Sequence, residues 1–397
     1  MPAETSQVSN PAAPDPDADW SLPAWLYHDV EYHAVEMQRV LRPSWQIVCH
    51  ESDIADIGAY QTLDFLGENI LVIRGDDQVV RAFTNVCRHR ASRLLDGLSG
   101  CVRKITCPYH AWTYDLNGQL TGVPMKNDYQ ALDMSHHGLV PVDMELWHGF
   151  IFVRLETGGP SVADMLAPYA ADVEPYQFSN LRALGRVTLR PRAVNWKNVG
   201  DNYSDGLHIS VAHPGLSRLF GRSYGIEAQS HADKMWGYLV DRESANISER
   251  MYQKYLPTVP HLPQNRQRLW TYVKLWPNIA FDIYPDQVDF MQFLPISSTE
   301  TLIREISYAI PDNRREMRVA RYLNWRINRQ VNSEDTVLIS RVQQGMMSPS
   351  YTVGPIGSSE VCLRSFARKI RDLVPEARLH RPPAAGWSRF MQVKAVS

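Results

Sequence analysis

Between Ile47 and Val153 apolar and polar residues alternate in short runs. The stretch AYQTLDFLGENILVIRGDDQVVRAFTNVC (59–87) predicts strands, with turns supplied by Gly-Glu-Asn and Gly-Asp-Asp-Gln. WTYDLNGQLTGV (112–123) places an Asn-Gly turn between two such runs, a hairpin signal, and HGFIFVRLE (148–156) closes this all-β region. Ahead of it, SLPAWLYHDVEYHAVEMQRVL (21–41) reads as a segment entering a helix. The first 19 residues, rich in Pro, Ala, Ser and Asp, have almost nothing to bury and predict a disordered tail. After Pro160 the pattern lengthens. ADMLAPYAADVEPY and VNWKNVGDNYSDGLHISV predict helices, and residues 268–310 hold at least three strand-like runs, RLWTYVKLW, IAFDIY and TLIREISYAI. Helical spacing returns from Arg314 to about Gly345. The expected organisation is a tail (1–19), a helical segment packing on the last domain (20–44), an all-β domain (45–155) and a domain with a sheet packed against helices (156–397). The fold class is α+β.

Composition adds mainly exclusions. With 397 residues, 44% hydrophobic and 21% charged, the chain is long enough for a core that needs no staples. A net charge of -2 gives no reason to expect nucleic acid or an anionic membrane as partner. No apolar run reaches the ~18 residues of a membrane span. The N-terminus lacks the layout of a signal peptide, and five cysteines do not suggest a disulfide framework, so a cytoplasmic protein is expected. There is no internal repeat and no Gly-rich dinucleotide or phosphate loop.

Three of the five cysteines lie in NVCRHRASRLLDGLSGCVRKITCPYHAW (85–112). Cys87 and His89 form a C-x-H pair, Cys107 and His110 a C-x-x-H pair, with seventeen residues between them. Two such pairs on two turns of a β region can clamp one metal centre. Two Cys and two His also make a tetrahedral zinc site. Cys101 falls outside the pattern and reads as a packed or free thiol.

A second informative stretch is NWKNVGDNYSDGLHISVAHPGL (195–216). On a helix Asp201, Asp205 and His208 fall within about 60° of one another and share a face. His213 would lie about 140° from His208, so both reach one metal only if the helix ends or distorts between them. Pro214 favours such a break by pushing His213 out of the α region.

These two motifs in this order resemble the Rieske non-heme iron oxygenases, terminal oxygenase alpha subunits of the group that includes aromatic ring-hydroxylating and choline, glycine betaine and carnitine oxygenases. The resemblance covers residues 20 to about 375. It implies that Cys87 and Cys107 hold one iron of a [2Fe–2S] cluster and His89 and His110 the other, with Trp112 as a shield. It further implies a mononuclear Fe(II) held by His208, His213 and one carboxylate. In NSEDTVLISRVQQGM (332–346) the family's E-D-x6-V-Q element matches, making Asp335 the expected ligand and Glu334 its competitor. An acid at the position of Asp205, often Glu in relatives, is expected to bridge His208 to His110 of the neighbouring chain. That arrangement implies a ring of subunits, most often a homotrimer.

The implied activity is reductive O2 activation, as a mono- or dioxygenase. Electrons would come from a separate NAD(P)H-dependent reductase, a ferredoxin, or both, because this chain has no nucleotide motif. Seven aromatics, Trp270, Tyr272, Trp276, Phe281, Tyr284, Phe290 and Phe293, fall on strands expected to line the pocket. They suit a stacking wall for a small aromatic substrate, the expectation taken here, or a cage for a quaternary ammonium whose N-methyl group is oxidised. A Rieske-type electron carrier would need only about a hundred residues and would leave residues 160–397 unexplained. A zinc module would not account for the H-x-x-x-x-H-P stretch.

Overall fold

The alternating runs become ten strands in the computed structural model, which describes residues 17–390. They are β1 (Gln46–His50), β2 (Ala59–Phe65), β3 (Glu68–Arg74), β4 (Val80–Thr84), β5 (Ser99–Cys101), β6 (Ile105–Thr106), β7 (Thr113–Tyr114), β8 (Leu120–Gly122), β9 (Asp143–Trp147) and β10 (Phe150–Arg154). All pair antiparallel, in three small sheets ordered β4-β3-β2-β5, β6-β7-β8 and β1-β10-β9. The Asn-Gly turn between β7 and β8 puts Gly118 at φ +83°, where a side chain would be strained.

Residues 1–16 of the expected tail lie outside the described residues. Asp17 to Asp19 form a turn, and Asp17 pairs with Arg378 at 2.9 Å. The helical segment that follows includes α1 (Val30–Glu36), whose N-cap Asp29 accepts the Tyr32 N–H at 2.7 Å.

The rest of the chain builds one antiparallel sheet with helices around it. Short helices α2 (Val162–Leu166) and α3 (Ala170–Val173) lead into β11 (Arg182–Ala183) and β12 (Thr188–Arg192). Then come α4 (Trp196–Ser204), α5 (Ile209–Ala212), α6 (Pro214–Phe220), β13 (Gly225–Ala228), β14 (Ala232–Tyr238) and α7 (Ile247–Tyr255). Four long strands follow, β15 (Leu269–Leu275), β16 (Ile279–Ile283), β17 (Val288–Ser297) and β18 (Glu300–Ala309), then α8 (Arg315–Met346) and α9 (Val361–Leu373). The sheet order is β11-β18-β17-β16-β15-β14-β13, with β12 also paired to β18.

One sequence expectation needs correction. VNWKNVGDNYSDGLHISV is not one helix: α4 stops at Ser204, and Asp205 takes an extended conformation (φ -85°, ψ 118°) as its C-cap. The expectation of at least three strands in 268–310 is met by four, β17 lying between the runs read at IAFDIY and TLIREISYAI.

Two features fix the domains and helices relative to one another. Phe150 and Phe152 of β10 pack with Phe281, Phe290 and Tyr308 of the large sheet in one buried cluster. Buried Gln343 on α8 accepts hydrogen bonds from the Asn195 N–H (2.8 Å) and Asn198 Nδ2 (2.7 Å), and donates to the Tyr27 carbonyl (3.0 Å). It thereby ties α8 to the start of α4.

Candidate metal centres and cavity

The two Cys/His loops are near copies in backbone. The Ala91 N–H donates to the Cys87 carbonyl (3.1 Å), and the Ala111 N–H donates to that of Cys107 (3.0 Å). Cys87 N–H reaches Ser92 O and Cys107 N–H reaches Trp112 O, both at 2.8 Å. Each loop has an alanine in the left-handed region, φ +54° at Ala91 and +55° at Ala111. Cys87 and Cys107 are buried, and the His89 and His110 rings approach with centroids 4.6 Å apart. The Nδ1 atoms of both histidines are buried without a hydrogen-bond partner. Two buried thiols and two orphaned imidazole nitrogens suit a [2Fe–2S] cluster with mixed ligands. Trp112 stacks on His89 (4.9 Å, 8°), and the Tyr114 hydroxyl lies 3.6 Å from Cys87 Sγ.

The second centre depends on two breaks in the helical stretch. The first, at Asp205, lets its carboxylate accept the Leu207 N–H (2.7 Å) and lie 3.1 Å from His208 Nδ1. The second, at His213 (φ -117°, ψ 75°), separates α5 from α6, which opens on Pro214. Both Nε2 atoms then converge, 3.0 Å apart. Asp335 Oδ1, from the middle of α8, lies 3.0 Å from His213 Nε2 and 3.6 Å from His208 Nε2. Ligands bonded at about 2.1 Å in cis positions lie about 3 Å apart, so the three atoms suit one octahedral iron with open positions. Among the described residues they are the one such group of His, Cys, Asp and Glu.

Glu334 lies on the far side of His213, with Oε2 2.8 Å from Nδ1, and accepts from Gln330 Nε2 at 2.9 Å. Each histidine therefore has a carboxylate on Nδ1 and turns its Nε2 to the centre, the arrangement that fixes tautomer and ring orientation in metal sites. Asn202 Nδ2 donates to Asp335 Oδ1 at 3.1 Å. Burial opposes a charged His208, but the hydrogen bonds to Asp205 and Asp335 outweigh it and raise its pKa to about 9. Burial likewise opposes the Asp335 carboxylate, yet the two histidines hold it down at about 2. Asp201 stands apart from this group, half-buried and accepting from the Tyr27 hydroxyl at 2.6 Å.

A cavity of about 100 Å3 opens on the triad. The register of the sheet builds its wall: Tyr272, Asp282 and Asp289 are cross-strand neighbours on β15, β16 and β17. Tyr203, Tyr224, Met291 and Glu305 also line it. Of the seven aromatics on the strands expected to line the pocket, most fill the core instead. Phe281 and Phe290 point to the opposite face of the sheet, and Trp270, Tyr284, Trp276 and Phe293 fill core clusters, leaving Tyr272 alone at the cavity. Strand alternation turns Phe281 and Phe290 away, whereas Trp270, Tyr284 and Phe293 share the cavity's face but lie beyond it along their strands; the signal missed was acidic, Asp282 and Asp289. Burial pushes Asp282 up to about 6, against hydrogen bonds from Tyr203 (2.5 Å) and Tyr284 (3.3 Å). Burial and the neighbouring Asp282 push Asp289 up to about 8.

Comparison with known proteins agrees with this geometry. Residues 44–135 match the Rieske [2Fe-2S] domain, and residues 178–376 match the ring hydroxylating alpha subunit catalytic domain. The carnitine monooxygenase oxygenase subunit of Escherichia coli K12 is 38% identical over 205 residues, 51% of this chain and 54% of that protein. The match thus spans about half the length of that relative. The Acinetobacter baumannii protein of the same name is 30% identical over 342 residues, 85% of this chain and 88% of that one. A solved quaternary ammonium Rieske monooxygenase, described for carnitine oxidation and inter-subunit electron transfer, superposes with a TM-score of 0.77 at 25% identity, covering 90% of this chain and 96% of its own. With an all-β cluster domain, an antiparallel sheet with helices and this extent of similarity, the chain belongs to the ring-hydroxylating alpha subunit family of Rieske non-heme iron oxygenases.

Proposed function

We propose that the chain is the terminal oxygenase of a multicomponent system that oxidises a carbon bonded to the nitrogen of a quaternary ammonium compound. The observation that carries this reading is the cavity wall. Three tyrosines, the half-buried Asp282 and the buried Asp289 face the triad. Tyrosine faces attract an ammonium through cation–π contact, and buried carboxylates favour a positive charge over a neutral ring. The relatives named above as carnitine monooxygenases support the same choice, which displaces the aromatic substrate expected from sequence.

In this reading His208, His213 and Asp335 hold the iron and the two loops hold the cluster. The bound metals supply O2 activation and one-electron relay. Asp205 and Glu334 hold the imidazoles in position, and the tyrosine wall holds the substrate cation. The overall change is R–H + O2 + 2e⁻ + 2H⁺ → R–OH + H2O. A carbinol on a carbon bonded to the quaternary nitrogen loses its hydroxyl proton as the C–N bond breaks, giving an aldehyde, the free amine and H⁺. The electrons come from a separate reductase, since the chain carries no nucleotide-binding loop. Exposed Leu207 and Val211 beside His208, and exposed Tyr109 and Met125 on the cluster domain, suit docking of one subunit's cluster against the next subunit's iron in a trimeric ring.

The test supplies hydrogen peroxide to the purified protein in place of O2 and reductase. Quaternary ammonium compounds and small aromatic acids are offered, and products are read by mass spectrometry. An aldehyde with its matching amine is expected. A hydroxylated arene as the only product would overturn the reading.

A further inference from the structure

A second cavity, of about 1130 Å3, adjoins the one at the triad, and Asp289, Glu305, Asn328 and Asn332 line both. Its character is opposite. Arg190 and Arg192 line it from alternate positions along β12, Arg186 from the loop before that strand, and Arg318, Arg321 and Arg329 from α8, against only Asp289 and Glu305 as acids. We propose that this outer cavity binds a carboxylate of the substrate, so that the substrate is a zwitterion lying with its ammonium at the tyrosine wall and its carboxylate among the arginines. The proposal rests on the quaternary ammonium reading above.

Three observations carry it. First, among the described residues the arginines are under-neutralised. Glu305 pairs with Arg190, and Arg321 is held by the Asp286 and Ile310 carbonyls (both 2.9 Å), but Arg186, Arg192, Arg318 and Arg329 form no ion pair. Second, Arg192 is an unfilled donor. Its Nε is buried without a hydrogen-bond partner, while Nη1 donates to the Pro191 carbonyl at 2.9 Å. A buried guanidinium N–H left unpaired is costly, and a bidentate carboxylate is the geometry that satisfies it. Arg190 and Arg192 also repel one another, a tension that an anion between them relieves. Third, the two charge environments are arranged in sequence. Asp205, Asp282 and Asp335 line only the cavity at the iron and the arginines only the outer one, with Asp289, Glu305, Asn328 and Asn332 shared between them. A cation with no carboxylate leaves the arginines unmatched. An aromatic acid matches them but sets a neutral ring against Asp282 and Asp289.

The spacing sets the kind of zwitterion. Arg329 precedes Asp335 by six residues of α8, about 9 Å along the axis. With the reach of an arginine side chain, that suits a short carbon chain between the two charges.

The test measures equilibrium binding to the holoenzyme by calorimetry with three probes: 4-(trimethylammonio)butyrate, butyltrimethylammonium, and 5,5-dimethylhexanoate, the neutral-headed counterpart. The expected result is at least 10-fold tighter binding of the zwitterion than of butyltrimethylammonium, with Arg192→Gln bringing the two within about 3-fold. Equal affinities in the wild type, or an undiminished preference in Arg192→Gln, would overturn the proposal. Should that variant lose the visible spectrum of the cluster, Arg329→Gln takes its place under the same criteria. Failure of the underlying reading looks different: 5,5-dimethylhexanoate would then bind as tightly as the zwitterion, and butyltrimethylammonium would not bind.

Discussion

Adjacent acids on α8, Glu334 and Asp335, divide two tasks between them. A shift of one position rotates a side chain by about 100°, which sends Asp335 to the Nε2 atoms and Glu334 to the outer nitrogen of His213. Asp335→Ala is expected to deplete the mononuclear iron while leaving the cluster spectrum intact. Glu334→Gln should keep a hydrogen-bonding group at His213 but weaken iron binding by roughly 10- to 100-fold. Metal analysis under graded chelator distinguishes the two, and unchanged iron in Asp335→Ala would remove it from the site. The buried Asp289 gives a second residue-level expectation. Held up at about 8, it is largely protonated at neutral pH, and a bound cation favours its ionised form. Binding of a quaternary ammonium should therefore release up to about one proton at pH 7, and none once the pH exceeds the raised pKa by about a unit. Calorimetry in buffers of different ionisation enthalpy reads this directly, whereas a neutral ligand should release no proton. The metal-facing residues were legible in the sequence because their spacing is family-wide. The cavity acids were not, because only the strand register brings them together.

At the level of elements, the short strands and the 32-residue α8 were readable from periodicity, and the break in the second helical stretch was half readable. Pro214 announced the discontinuity at His213, but nothing as plain marks the one at Asp205. An aspartate with two local N–H and imidazole partners is enough to end a helix there. What holds α4 in place is a buried pair: Lys197 Nζ lies 2.9 Å from Glu36 of α1, and both side chains are fully buried. Burial pushes each toward its neutral form, and the pairing opposes this in both. Trp196 Nε1 donates to the same carboxylate at 2.8 Å. Lys197→Met should cost about 3–5 kcal/mol, because it leaves Glu36 buried and unpaired. Adding Glu36→Gln keeps an acceptor for Trp196 without the charge, and should restore most of the loss in denaturant unfolding. If the single variant unfolds like wild type, α4 does not depend on this pair.

For the whole molecule, the sequence could indicate a ring of subunits only through the resemblance, since no pattern within one chain describes its neighbour. Co-assembly provides the direct check. Asp335→Ala chains retain the cluster but lack iron, and Cys107→Ser chains retain the iron site but lack the cluster. Neither alone should turn over. Mixed trimers should recover about a quarter of wild-type turnover if electrons cross between chains, because one in four ordered neighbours then pairs a working cluster with a working iron. No recovery would place transfer within a chain. The length of α8 has a consequence for selectivity. One continuous rod carries the iron-side carboxylate, the asparagines shared by both cavities and half of the arginines. The distance from anchor to reaction point is then set by helical rise rather than by a mobile loop. Such an enzyme works as a fixed gauge: lengthening a ligand by one methylene slides a different carbon to the oxidising position, and homologues of one compound should break at different bonds.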